Sequence, residues 1–295
     1  MSRHPDMRLV VLGFGYSAKA LMRSVRPGSV IGTTRSPERA EDLHRWGVRS
    51  IVTDGSPSPT LSEAIRSATH ILVSAAPGEQ GDPFRYTYER DLAHAADLAW
   101  IGYLSTVGVY GDHQGAVVDE RATCLATADR GIWRIEAEDA WLALGRRIGA
   151  PVGVFRLAGI YGPGRNTFVA LRDGHAKRII KPGQVFNRIH VEDIGATLAA
   201  SIERPATRYY NVSDDEPAPP QDVVAYAASL MGVEPPPEIA FDDAQLSPMA
   251  RSFYGEVKRI SNARIHDELG VTLRYPTYRE GLAALWNSGT WSETW

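Results

Sequence analysis

Across the first 160 residues, short runs of apolar positions alternate with longer amphipathic stretches. Arg8–Leu12 (RLVVL), Val30–Thr34, Ile51-Val52, Ile71–Ser74, Ile101–Ser105 and Val152–Leu157 are continuous apolar segments of the kind buried on both faces of a sheet. Between them the period lengthens toward that of a helix. Ser17–Arg26 reads as one, closed by Pro27-Gly28. A second opens with Ser36 as a cap and Pro37 at the first helical position and stops near Trp46-Gly47. Phe84–Leu98 and Ile132–Arg147 are expected as two more. Strand, helix and strand in this order predict an α/β protein with a doubly wound parallel sheet.

After residue 160 the texture changes. Tyr161-Gly162-Pro163-Gly164 reads as a loop, and prolines cluster at Pro217, Pro219 and Pro220 and again at Pro235–Pro237. Tyr209–Val212 still has the character of the first unit. The expected organisation is therefore a domain over residues 1–160, with 189–212 returning to it, and a smaller C-terminal lobe built from 161–188 and 213–295.

Composition excludes several classes. The chain has 295 residues, 43% apolar and 23% charged, ordinary values for a globular protein with ample core. A net charge of −3 gives no polyelectrolyte drive toward nucleic acid. No apolar run approaches the roughly 20 residues of a membrane span, and MSRHPDMRLVVLGFG does not read as a signal peptide. Cys124 is the only cysteine, which excludes an intrachain disulfide and a cysteine-based zinc cage. No ligand spacing suggests a metal. A cytoplasmic protein acting on a small molecule is expected.

The first chemistry lies at the N-terminus. Gly13-Phe14-Gly15-Tyr16-Ser17-Ala18 fits G-x-G-x-x-G/A between a strand and a helix. There the first glycine makes the tight turn, and the second admits a pyrophosphate. The small third residue lets the helix pack closely, and its N-terminal amides face the phosphate. The second strand ends in Thr33-Thr34-Arg35-Ser36, where an NAD site would carry an acid for the ribose hydroxyls. A guanidinium flanked by hydroxyls suits a 2′-phosphate instead, so NADP is expected over NAD.

Further motifs agree in order. Leu104-Ser105-Thr106-Val107-Gly108-Val109-Tyr110-Gly111 resembles the S-S-x-x-V-Y-G segment of the extended short-chain dehydrogenases/reductases, the NAD-dependent epimerase/dehydratase family. Phe155–Gly164 is similar to that family's R-x-x-x-V-Y-G-P-G, Ile189–Ile194 to its I-H-V-x-D-V, and Tyr210-Asn211-Val212 to its Y-N-V. The resemblance spans the chain. It implies a Rossmann-like domain with a smaller substrate lobe, Asp54 at the adenine end, and Ser74-Ala75-Ala76 along the cofactor ribose. It also implies a homodimer, through the helices Phe84–Leu98 and Ile132–Arg147.

The catalytic set departs from the family. Thr106 stands where the family has its Ser/Thr. Aligning Arg134-Ile135-Glu136-Ala137-Glu138 on the family's K-x-x-x-E puts Arg134 at the lysine position and Arg130 at the tyrosine position. Arg134 could still hold ribose hydroxyls. Arg130 cannot exchange protons as a phenol does, because a guanidinium stays protonated. The pattern resembles an atypical subgroup lacking the Tyr-x-x-x-Lys pair. Tyr110, His113, Arg165, Asn187 and Arg188 are the candidate substrate contacts, and their arginines suit an anion. Against these stands a generally Arg-rich surface, 28 arginines to four lysines, balanced by acids such as Asp214 and Asp215. Two functions follow: an NADP-dependent oxidoreductase or epimerase-like enzyme with a non-standard site, or an NADP(H)-binding sensor that does no chemistry.

Overall fold

The computed structural model describes residues 2–293 and 295. Seven strands form one parallel sheet: β1 (Ser2–Leu12), β2 (Val25–Thr34), β3 (Arg49–Val52), β4 (His70–Val73), β5 (Trp100–Thr106), β6 (Val152–Leu157) and β7 (Arg208–Val212). Their spatial order is β3-β2-β1-β4-β5-β6-β7. The winding direction reverses between β1 and β4, which opens a crevice at the carboxyl ends of those strands. The fold is therefore the expected Rossmann-like doubly wound sheet.

Strand β1 explains why its sequence is apolar without alternation. Leu9 and Val11 enter one core with α1 (Tyr16–Ser24), while Val10 and Leu12 enter the other with α3 (Pro59–Arg66). Both faces of the sheet are dry, so both sets of side chains must be apolar. Helix α1 lies against the helix Val191–Glu203, and the approach is close: a Cβ on Gly195 would sit 2.5 Å from the Ala20 carbonyl oxygen.

Several elements differ from expectation. The first strands reach further toward their N-termini, because Ser2–His4 pairs with Val25–Pro27. Helix α1 accordingly ends at Ser24, and Pro27 lies in β2 where β3 has not yet joined, a position that needs no second hydrogen-bonding partner. The expected helix Phe84–Leu98 shrinks to α4 (Glu89–Ala93). Asp82 accepts the Phe84 and Arg85 amides and the Trp141 indole N–H, holding the preceding residues in turns. Phe84, Tyr88 and Leu92 keep their four-residue spacing and are still buried. By contrast α5 (Asp129–Ile148) is longer than its apolar pattern suggests and ends on Gly149 at φ +73°.

Beyond β6, short strands Gly159–Tyr161 and Arg188–His190 pair with each other and lead into Val191–Glu203. A separate core forms around Phe168, Val223, Ala227, Tyr278, Leu282 and Leu285. The chain does not then stay away from the sheet: Ile265, Leu269, Val271 and Leu273 pack in the first core. Among the described residues, no helix is long and apolar enough to cross a membrane.

Candidate functional site

The crevice begins at the glycine turn. Gly13 has φ +89°, and a Cβ there would lie 2.7 Å from the Ala75 amide nitrogen. Only glycine suits this position, on conformational and spatial grounds together. The turn is held from the neighbouring strand: Gly13 N–H donates to Thr33 Oγ1 at 2.7 Å and Phe14 N–H to the Thr33 carbonyl at 2.8 Å. Beside Gly15 the opposite condition holds, with no atom within 4 Å of where a Cβ would stand. Gly15 is also the N-cap of α1 and supplies no side-chain acceptor to the helix amides. A tight turn, open space and uncapped amides together fit a pyrophosphate at this helix terminus.

Beyond the turn runs a groove lined by Thr34, Arg35, Arg39, Asp54, Ser74, Ala75 and Ala76, among others. Among the described residues, the Arg35 and Arg39 side chains have no hydrogen-bond or ion-pair partner. Ser36 is committed elsewhere, since its hydroxyl accepts the Arg39 amide at 3.2 Å as the cap of α2 (Pro37–His44). Asp54 Oδ1 accepts the Ser56 amide at 2.9 Å, and the Ser56 hydroxyl together with this amide holds its carboxyl below the usual range. Tyr16 donates to the Pro163 carbonyl at 2.9 Å, tying the start of α1 to the second lobe. Ala18 lies on the buried face of α1.

Past Ser74 the groove continues into a cavity of about 700 Å³. Thr106, Arg134, Arg165, Asn187 and Arg188 all line it. The Thr106 hydroxyl oxygen accepts the Gly108 amide at 3.1 Å, which leaves its O–H able to donate into the cavity. Arg134 donates to the Leu104 carbonyl and lies 5.7 Å from the Tyr103 ring. Beneath this wall is a buried ionic cluster. Arg156 and Glu138 pair at 2.7 Å, Ser105 donates to Glu138, and the guanidinium stacks on Tyr110 and Tyr209 at 4.8 and 4.3 Å. It locks β5, α5 and β6 together directly below Thr106.

Other candidates lie outside the cavity or are committed to the chain's own groups. Arg130 is exposed; its Nη2 donates to Ser252 Oγ at 2.9 Å and its guanidinium lies 4.4 Å from the Phe253 ring centre. The residue at the family's tyrosine position thus grips a helix of the second lobe, Pro248–Tyr254, whose Phe253 and Tyr254 line the cavity. Tyr110 is fully buried and donates to Asn211 Oδ1 at 2.7 Å, a packing role. His113 contacts the Thr123 carbonyl. Asn187 lines the cavity but spends both ends of its amide on the chain, Nδ2 donating to Lys258 O and Oδ1 accepting from Ile260 N. His190 is buried, and desolvation pushes it down to about 3, so it is neutral.

Two buried charged residues complete the surroundings of the cavity, one of them read from the sequence as a cation on the substrate side and the other not. Lys258 is buried, donating to Gly111 O and Glu256 Oε2 at 2.6 Å each. Asp214, which the sequence assigns to the charged surface, is 1% exposed. An acid inside Ser-Asp-Asp-Glu reads as solvated, and only tertiary packing turns it inward. Among the described residues, no group of three or more His, Cys, Asp and Glu is placed to hold a metal.

Comparison with known proteins agrees with this architecture. No family model matches the chain. A conserved protein of unknown function from Silicibacter pomeroyi DSS is 49% identical over 97% of this chain and 99% of its own, with a TM-score of 0.86. The chain belongs to the same family as that protein. The curated protein YeeZ of Escherichia coli K12 is 26% identical, with 91% of this chain and 96% of YeeZ covered. Among solved structures, the dTDP-glucose 4,6-dehydratase DesIV of Streptomyces venezuelae, solved with NAD, has a TM-score of 0.76 at 17% identity, covering 97% of this chain and 96% of its own. Such neighbours are NAD-binding epimerases and dehydratases of the extended short-chain dehydrogenase/reductase class, and at that identity they establish the fold.

Proposed function

We propose that the protein is an NADP(H)-dependent oxidoreductase or epimerase-like enzyme, an atypical extended short-chain dehydrogenase/reductase that works without the Tyr-x-x-x-Lys pair on a small anionic substrate. The observation that carries this reading is the unbroken run of the crevice from Gly13 and Gly15, past Ser74, into a cavity lined by Thr106 and Arg134. The turn and the α1 terminus would hold a dinucleotide pyrophosphate, and Arg35 and Arg39 a 2′-phosphate. When bound, the nicotinamide supplies or accepts a hydride. Thr106 donates a hydrogen bond to the substrate oxygen, and Arg134 fixes the wall behind it. Mixing the protein with NADPH and a panel of carbonyl compounds tests the reading, through loss of reduced-nicotinamide absorbance. Cofactor binding with no turnover across a broad panel would refute it.

A second reading has its own support. Arg130, in the position of the family's proton donor, is engaged by Ser252 and Phe253 and takes no place in the cavity. A sensor that binds NADP(H) and does no chemistry would be built this way. Its signature is a partner protein whose affinity differs between the NADP+, NADPH and cofactor-free states.

A further inference from the structure

The cavity's cations are not equivalent. Lys258 is neutralised by Glu256, Arg134 is held by the Leu104 carbonyl, and Arg165 stands exposed at the rim. Arg188 is different. It lies within the protein and lines the cavity, and Nη1 donates to the carbonyls of Phe186 at 2.9 Å and Ala218 at 3.2 Å. Among the described residues its Nε and Nη2 have no hydrogen-bond partner and its charge has no ion pair. The Phe186–Ala218 bridge fixes the direction of the fork. A half-buried guanidinium held by two carbonyls, with its remaining donors unspent, calls for an anion.

The walls around it say which anion. Leu157, Ile160, Val185, Phe186, Phe253 and Tyr254 are apolar or aromatic. A nucleoside diphosphate would bring at least two negative charges and a sugar against these walls, whereas of the three cavity arginines without an ion pair among the described residues, Arg134 is tied to the Leu104 carbonyl and Arg165 stands at the rim. A planar monoanion on an apolar body suits them better.

Asp214 lies close enough to Arg188 to bias it electrostatically, and the Asp214 amide donates to the Arg188 carbonyl at 2.7 Å. Neither of its carboxylate oxygens has a well-formed hydrogen bond. Tyr161, Tyr254 and Tyr278 face Arg188 from three further elements, and burial raises all three phenols. Asp215 and Glu216 face Asp214 from its own loop.

We propose that the cavity selects a monocarboxylate with an aryl or alkyl body, its carboxylate forked on Nε and Nη2 of Arg188, and that Asp214 sets the pH range over which Arg188 is free to hold it. This deepens the oxidoreductase reading and rests on it only for calling the occupant a substrate. Burial pushes the Asp214 carboxyl up to about 8, with Arg188 and the Glu216 amide opposing and Asp215 and Glu216 assisting. At neutral pH the acid is uncharged and leaves the guanidinium available. Above that range its carboxylate competes with the ligand for Arg188.

Calorimetry on the full-length protein, with and without saturating NADP+, tests this with three probes: trans-cinnamate, its neutral amide, and UDP-glucose. Cinnamate is expected to bind at least about tenfold tighter than the amide, a charge-assisted fork against a neutral contact. In Arg188→Gln that preference disappears while the amide binds as before. Arg188→Lys, which keeps the charge and loses the fork, falls between, and guards against a glutamine variant that does not fold. From pH 6.5 to 8.5 cinnamate affinity of the native protein falls several-fold, and in Asp214→Asn it stays flat. Absence of cinnamate binding, equal affinity for acid and amide, tighter binding of UDP-glucose, or discrimination surviving in Arg188→Gln would each overturn the proposal. A pH-independent native affinity would overturn the role of Asp214. NADPH fluorescence titration of the same samples separates the two readings: its failure refutes the oxidoreductase and leaves the carboxylate result standing.

Discussion

At the residue scale the glycine turn divides folding from binding. Gly13 is required by the protein itself, through its φ of +89° and the Ala75 amide 2.7 Å from its absent Cβ. Gly13→Ala is expected to cost about 1–3 kcal/mol in a urea unfolding curve. Gly15 is different, because open space surrounds it and its φ of −124° suits any residue. The lost N-cap preference of glycine and the gain from a stiffer unfolded chain nearly cancel, so Gly15→Ala should stay within about 1 kcal/mol of the native stability. Its NADPH affinity should nevertheless fall at least about tenfold, because the methyl group occupies the path of the pyrophosphate. A Gly15→Ala protein that binds NADPH normally would remove the dinucleotide from this turn. Under the proposed function, Arg35 would select the 2′-phosphate in the same direct way. With its guanidinium unpaired, Arg35→Ala should weaken NADPH by about 10–100-fold, the worth of a charge-assisted contact, and leave NADH within about twofold. Parallel fluorescence titrations of the two cofactors measure the ratio.

At the element scale the cavity wall depends on one buried pair. Glu138 of α5 and Arg156 of β6 are 1% and 4% exposed, and the pair reaches Ser105 beside Thr106. Glu138→Ala leaves a guanidinium buried without its counterion and should cost about 3–5 kcal/mol. Glu138→Met combined with Arg156→Met, which removes both charges and keeps the volume, should recover most of that loss. If the double variant is as unstable as the single one, packing rather than charge governs the wall. The same elements mark how far sequence reading reaches. The parallel sheet and the glycine turn were legible because local pattern specifies each, through unbroken apolar runs and a strand–turn–helix motif, whereas Thr106 was reached only through the family resemblance. The turns at Phe84–Tyr88 were not, since Asp82 imposes them through Trp141, a residue 59 positions away. Tyr110 sits in a matching motif and Asn187 just before one, yet they serve packing and bridging, and only the partners of their polar atoms reveal that. Asp214 was hidden for the same reason, because a run of acids carries no mark of which one the fold will enclose.

On the scale of the whole molecule, the crevice leaves titratable groups in places where water cannot solvate them, and the pH dependence of stability follows from their signs. Desolvation pushes His190 down to about 3, so the unfolded chain binds a proton there more readily than the folded one below about 6.5. On its own this lowers stability as pH falls through that range. Asp193 and Asp214 act oppositely, since burial pushes them up to about 6 and about 8. Each holds a proton in the folded chain that the unfolded chain releases near 3.8, so each lowers stability as pH rises toward its folded value. Between about 3.8 and 6 the two acids outweigh His190 by one proton, and from about 6 to 6.5 His190 and Asp214 offset each other. Between about 6.5 and 8, however, His190 is neutral in both states and Asp193 ionised in both, which isolates Asp214. Native stability should therefore fall by up to about 2 kcal/mol between pH 6.5 and 8.5, at about 1.4 kcal/mol per pH unit for one proton. Asp214→Asn should abolish that slope, because an amide does not titrate. Urea midpoints for both proteins across this interval provide the measurement. A native slope retained in the asparagine variant would assign the proton to another group and with it remove Asp214 from control of Arg188.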